Sequence, residues 1–120
     1  MRDDPLFKYP AYVKALELFD RTFEDTENLL GDIRGREIAK QIIRCVGSIS
    51  ANFEEGYGRG TTKEFIHSLR ISNGEARESK GWYWRGRRFF SEDLVNKRMK
   101  EIGDVIALIS SMIRTMGSKK

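Results

Sequence analysis

A chain of 120 residues with 39% hydrophobic and 33% charged residues is long enough for one core that buries roughly two thirds of the unfolded chain's surface, and too apolar to stay disordered. One cysteine, Cys45, and one histidine, His67, exclude an internal disulfide and a zinc site of the usual Cys/His kind. The net charge of +4 is uneven: residues 1–33 hold four Lys and Arg against eight Asp and Glu, and residues 34–120 hold eighteen against ten.

The opening MRDDPLFKYP has acids where a signal peptide needs a basic and then an apolar region, and no apolar run approaches the roughly 18 residues of a membrane span. The expected location is cytoplasmic. Periodicity then predicts a first helix from Ala11 to Leu30, with Tyr12, Leu16, Phe19, Phe23 and Leu30 on its buried stripe and Pro10 before its start. GDIRG ends it.

A second helix is predicted from Arg34 to Glu54, where Ile38, Ile42, Val46, Ile49 and Phe53 follow at spacings of four, four, three and four. Cys45, three after Ile42, reads as a small core hydrophobe. Ser48, Asn52 and Glu55 recur at helical spacing beside that stripe. Such groups hydrogen-bond to backbone at a bundle end or a subunit contact; no nucleophile and base accompany them that would make them catalytic.

Gly56-Tyr57-Gly58-Arg59-Gly60 follows a helix and lacks the spacing of either a P-loop or a dinucleotide fingerprint. It fits a helix stop and a helix start, with Gly56 in the left-handed C-terminal position and Thr61 with Glu64 as a capping box. A second use stays open: free N–H groups at Thr62 and Lys63, with Arg59, suit a phosphate oxygen.

The third helix is predicted from Thr62 to Phe89, although Gly74, Gly81 and Gly86 each cost about 1 kcal/mol in a helix interior. Gly74 and Gly81 share a face, where another backbone approaches closely or the helix frays; for Gly86 fraying is expected. His67 reads as a solvated surface residue. The stretch EARESKGWYWRGRRFF interleaves Trp82, Tyr83 and Trp84 with Arg77, Lys80, Arg85, Arg87 and Arg88. Aromatics beside arginines suit single-stranded or irregular RNA, whose bases stack on rings and guanidinium planes. The competing reading gives one aromatic to the core and leaves the arginines solvated.

The fourth helix, Glu92 to Met116, places Val95, Met99, Ile102, Ile106, Ile109, Ile113 and Met116 in an alternating four and three pattern behind a Ser91-Glu92-Asp93 start. Four amphipathic helices with short connections form an all-α, antiparallel up-down-up-down four-helix bundle. It is expected as a single domain over residues 1–120, without cofactor or metal.

VGSISANFEEGYGR, KEFIHSLRIS and EARESKGW resemble the small four-helix-bundle proteins encoded by intervening sequences of bacterial 23S ribosomal RNA genes, often labelled S23 ribosomal proteins. The residues that carry the likeness most specifically are Ser48, Asn52, Glu55, Gly56, Arg59, Lys63, Phe65, Glu75, Ala76, Glu78 and Trp82. The resemblance implies a ring, typically a homopentamer, with an RNA-related role. The accessory protein of diversity-generating retroelements is similar to that family, which implies a reverse transcriptase as a further partner. The chain departs from the usual pattern at Glu54, where a small or apolar residue is more common, and at Gly81, where an aromatic often precedes the tryptophan.

The expected function is therefore a non-catalytic, oligomeric RNA or single-strand binder, with Arg59, Lys63, Arg77, Lys80, Trp84, Arg85, Arg87 and Arg88 in contact with nucleic acid. Ser48, Asn52, Glu55, Gly56, Glu78 and Trp82 are expected to be structural. The alternative is an oligomeric protein-interaction scaffold without nucleic acid.

Overall fold

Each helix begins where something can deal with its first unbonded N–H groups. Asp32 accepts from the backbone N–H groups of Arg34 at 2.8 Å and Gly35 at 3.1 Å, Thr61 Oγ1 from Glu64 at 3.1 Å, and Ser91 Oγ from Leu94 at 3.1 Å. Pro10, without an N–H, opens the remaining helix. The computed structural model describes residues 1–118. It comprises α1 (Pro10–Thr26), α2 (Ile33–Gly58), α3 (Thr62–Arg85) and α4 (Glu92–Ser118), with 3-10 turns at Pro5–Lys8, Glu27–Leu29 and Arg87–Phe89. Short connections make successive helices antiparallel, and the resulting four-helix bundle measures 48 × 24 × 20 Å.

One end of the bundle gathers the α2–α3 corner, the start of α1 and the end of α4. Its core is aromatic: Tyr12 meets Phe53 at 5.7 Å and Phe7 at 5.5 Å between ring centroids, and Phe53 meets Phe65 at 6.3 Å. Buried Tyr12 donates its hydroxyl to Glu54 at 2.6 Å, so the unusual acid at position 54 serves a core phenol. The opposite end gathers the α1–α2 and α3–α4 corners around a polar brace. There Tyr83 donates to Asp25 at 2.7 Å and shares a hydrogen bond with Thr22 at 2.9 Å. Arg98 grips the same Asp25 through Nε at 2.7 Å and Nη2 at 3.0 Å. Three helices are tied by one buried carboxylate.

α1 buries Ala11, Tyr12, Ala15, Leu18, Thr22 and Thr26, whereas Phe23 is 66% and Leu30 52% exposed. The predicted stripe is met at Tyr12, fully buried, and in part at Leu16 and Phe19, while Phe23 and Leu30 turn outward and Ala11, Ala15, Leu18, Thr22 and Thr26 complete the inner face. In α2 to α4 the predicted apolar positions face inward, completely buried at Ile42, Val46, Ile49, Phe53 and Ile109 and partly at Ile38, Met99 and Ile113.

Gly56 corrects the sequence reading most directly. α2 continues through it to Gly58, and Gly60 instead takes the left-handed conformation at φ 85°. A Cβ built on Gly56 collides with the Ser68 side chain, lying 2.6 Å from its Oγ, so the glycine lets α2 and α3 touch. Along α3 the contact continues through buried Ser72, whose Oγ donates to the Ile49 carbonyl at 2.8 Å, and buried Ala76 and Ser79.

The close approach expected at Gly74 and Gly81 is absent within the chain. A Cβ on Gly74 meets nothing within 4 Å, and one on Gly81 meets only the Arg85 guanidinium, at 2.7 Å. Gly86 is packed rather than frayed: it is buried at the end of α3, where an added Cβ would lie 2.9 Å from Ile38 Cγ2 and 3.2 Å from the Phe90 ring.

Candidate nucleic-acid interface

At the end of α3 the two tryptophans have separate environments. Trp82 is half-buried against the core and donates its indole N–H to Glu78 at 3.0 Å. Trp84 is 55% exposed. Each carries an arginine: the Arg85 guanidinium stands 4.8 Å from the Trp82 ring centroid and that of Arg87 stands 4.3 Å from the Trp84 centroid, an attraction of the cation to the ring's negative face. The absent side chain at Gly81 leaves the room in which Arg85 folds back. Tyr83, between them, is the aromatic that belongs to the core.

Helical spacing sorts the remaining cations into two stripes. Glu78, Trp82 and Arg85 follow at four and three on the side toward α2, where Arg44 Nη2 meets Glu78 at 2.6 Å and Arg44 Nη1 meets Glu75 at 3.5 Å. That stripe is largely neutralised. Arg77, Lys80 and Trp84 follow at three and four on the side toward α4, with the Lys80 ammonium beside Gly103. Arg88, past the helix end, is exposed. An open groove of about 510 Å³ adjoins Trp84 and Arg87, its other walls being Phe90, Glu92, Val95 and Asn96.

Arg59 and Lys63 do not join this patch. They sit where α2 ends and α3 begins. The 22 residues from Lys63 to Arg85 span about 33 Å of helix axis. Arg59 is also paired with Glu55 at 3.0 Å. The eight cations and aromatics assigned to one surface by sequence therefore occupy two ends of the molecule. Ser48 and Asn52 donate to the carbonyls of Arg44 and Ser48, both at 2.8 Å, and Glu78 accepts from the Trp82 indole.

Cys45, Glu75 and Glu78 bring three potential ligand atoms within 4.8 Å of one another. Arg44 already occupies the cation's place, its Nη2 lying 3.0 Å from Cys45 Sγ as well as 2.6 Å from Glu78. Burial, first, pushes the Cys45 thiol up to about 12, so at neutral pH it is a protonated core residue. Hydrogen bonds from Trp82, first, and then from Cys45 and Arg44 hold Glu78 below the usual carboxylate range.

Two features escaped the sequence reading. The Arg44 bridge could be found only as an unassigned arginine on the α2 face opposite Glu75 and Glu78. The wall made by Glu92 and Asn96 has a visible signal, an i, i+4 polar pair flanking the buried Val95.

The family model described as 23S rRNA-intervening sequence protein matches residues 8–113. A solved structure of a protein of unknown function from the S23 ribosomal protein family of Bacteroides thetaiotaomicron is similar with a TM-score of 0.80 at 24% identity, over 87% of this chain and 95% of that one. No curated protein matches the chain. Among the described residues no helix is long and apolar enough to cross a membrane.

Proposed function

The chain belongs to the 23S rRNA-intervening sequence protein family, and from that premise we propose that it is a non-catalytic RNA-binding protein that works as a homo-oligomer. The observation that carries the reading is the exposed Trp84 with the Arg87 guanidinium 4.3 Å from its ring centroid, flanked by exposed Arg77, Arg85 and Arg88. Phosphates meet the cations, and a splayed base stacks on the indole or on the guanidinium plane. Arg59 and Lys63 form a lesser basic spot at the other end, which a ring of copies would present around its opposite rim. In such a ring each weak patch gains through effective concentration.

The full-length protein is expected to bind mixed single-stranded RNA with an affinity whose logarithm falls linearly with the logarithm of salt, by about 0.7 per phosphate contacted. Replacing Trp84 by alanine should cost about 1–3 kcal/mol of that binding. Absence of salt-sensitive binding at low ionic strength overturns the proposal. A protein-interaction scaffold then takes its place, a reading favoured by Phe23, Leu30 and Ile33, which are 66%, 52% and 69% exposed at the α1–α2 corner. Light scattering that returned the 13.9 kDa of one chain would overturn the assembly in either version.

A further inference from the structure

The groove beside Trp84 contains an acid that phosphate binding does not explain. Of the two carboxylates opening α4, Asp93 is paired with Lys97 at 3.1 Å, while Glu92 has no ion-pair or hydrogen-bond partner for its side chain among the described residues and lines the groove with Trp84, Arg87 and Asn96. Placed in one groove with Arg87, it weakens the attraction for every phosphate that approaches. A base edge with two adjacent N–H donors is the ligand for which it is favourable.

We propose that this groove is a guanine pocket for single-stranded RNA, an inference that rests on the RNA-binding reading above. The base stacks on the Trp84–Arg87 pair, over the apolar wall of Phe90 and Val95. The two Glu92 oxygens accept from guanine N1–H and N2–H₂, a bidentate match of the kind that gives charged acceptors their specificity. Asn96, one turn along on the same face of α4, offers its amide N–H₂ to O6. Adenine and cytosine present a ring-nitrogen acceptor beside their amino group, which faces the carboxylate's lone pairs. Uracil presents one N–H between two carbonyls. The groove volume of about 510 Å³ lies within the range of about 300–1,000 Å³ typical of small-ligand sites.

Short oligouridines carrying a single central guanosine, adenosine or cytidine, titrated against the full-length protein at fixed salt and followed by fluorescence anisotropy, test this. The guanosine oligomer is expected to bind at least about tenfold more tightly than the others. Exposed Glu92 can be changed without disturbing the core. Glu92→Gln should reduce the preference to within about twofold, while the salt slope, set by phosphates, stays as in the wild type. Equal binding of all oligomers with the salt slope intact discards the guanine pocket and leaves the RNA-binding reading standing. A preference that survives in Glu92→Gln discards Glu92 as its source and with it the pocket. Failure of every oligomer to bind at low salt discards both readings.

Discussion

The two ends of the bundle use similar residues to opposite effect. At the α2–α3 corner, glycines and aromatics are consumed by packing: Gly56 lets Ser68 against α2, and Tyr12, Phe53 and Phe65 fill the interior. At the α3–α4 corner the interior is held by the Asp25, Tyr83 and Arg98 brace, and aromatics and arginines are left outside. An end closed by a polar brace does not need its neighbouring tryptophan for the core. Its rigidity therefore does not depend on hiding the ring that a ligand would use.

The brace offers the largest test of this contrast. Asp25→Ala leaves the Tyr83 hydroxyl with Thr22 alone and Arg98 with Glu101 alone and should destabilise the fold by about 2–4 kcal/mol in urea denaturation; a loss below about 1 kcal/mol would mean that this end is held by something else. Gly56→Val forces a branched side chain into Ser68 and should cost about 1–3 kcal/mol or more, with no change in RNA affinity per folded molecule.

Changing Arg85, Arg87 and Arg88 together to glutamine should leave the melting temperature nearly unmoved and weaken RNA binding about ten- to a hundredfold, with a flatter salt slope. The double change of Arg59 and Lys63 to glutamine should shift binding far less. Equal effects at both ends would erase the distinction between them. Gly60→Ala, at the left-handed φ of 85°, should cost about 1 kcal/mol although nothing lies within 4 Å of an added Cβ.

The smallest expected effect is a pH dependence. The Arg34 side chain, first, and the backbone N–H groups of Gly35 and Arg34 hold the Asp32 carboxyl down to about 2, and Glu78 is also lowered. Groups whose folded values are depressed contribute stability above their unfolded values, and that stability is lost as pH falls through the folded ones. The denaturation midpoint should therefore decline between about pH 4 and 2, and Asp32→Asn should remove part of the decline. Both groups are solvent-exposed, so the decline is shallow.

Much of this protein was legible as sequence because the signals are local. Spacings of three and four along Ile38 to Phe53 and Val95 to Met116 define helices, and Thr61 and Ser91 stand where unbonded N–H groups need acceptors. Cys45 as a core residue, His67 as an exposed one and one aromatic of the Trp-Tyr-Trp run in the interior followed from the same patterns. Tertiary structure decided what depends on the distance between helices. Periodicity assigned Phe23 and Leu30 to one inner stripe with Tyr12; packing buries Tyr12, leaves Phe23 and Leu30 exposed, and turns Ala11, Ala15 and Thr22 inward.

A glycine in a sequence can mean a left-handed turn or a missing side chain at a contact. Only the position of Ser68 across the interface gave Gly56 the second meaning and left the first to Gly60. The cations were divided in the same way. Their clustering along the chain pooled Arg59 and Lys63 with Arg85 to Arg88, but a continuous α3 carries the two groups to opposite ends, because a helix advances about 1.5 Å with every residue.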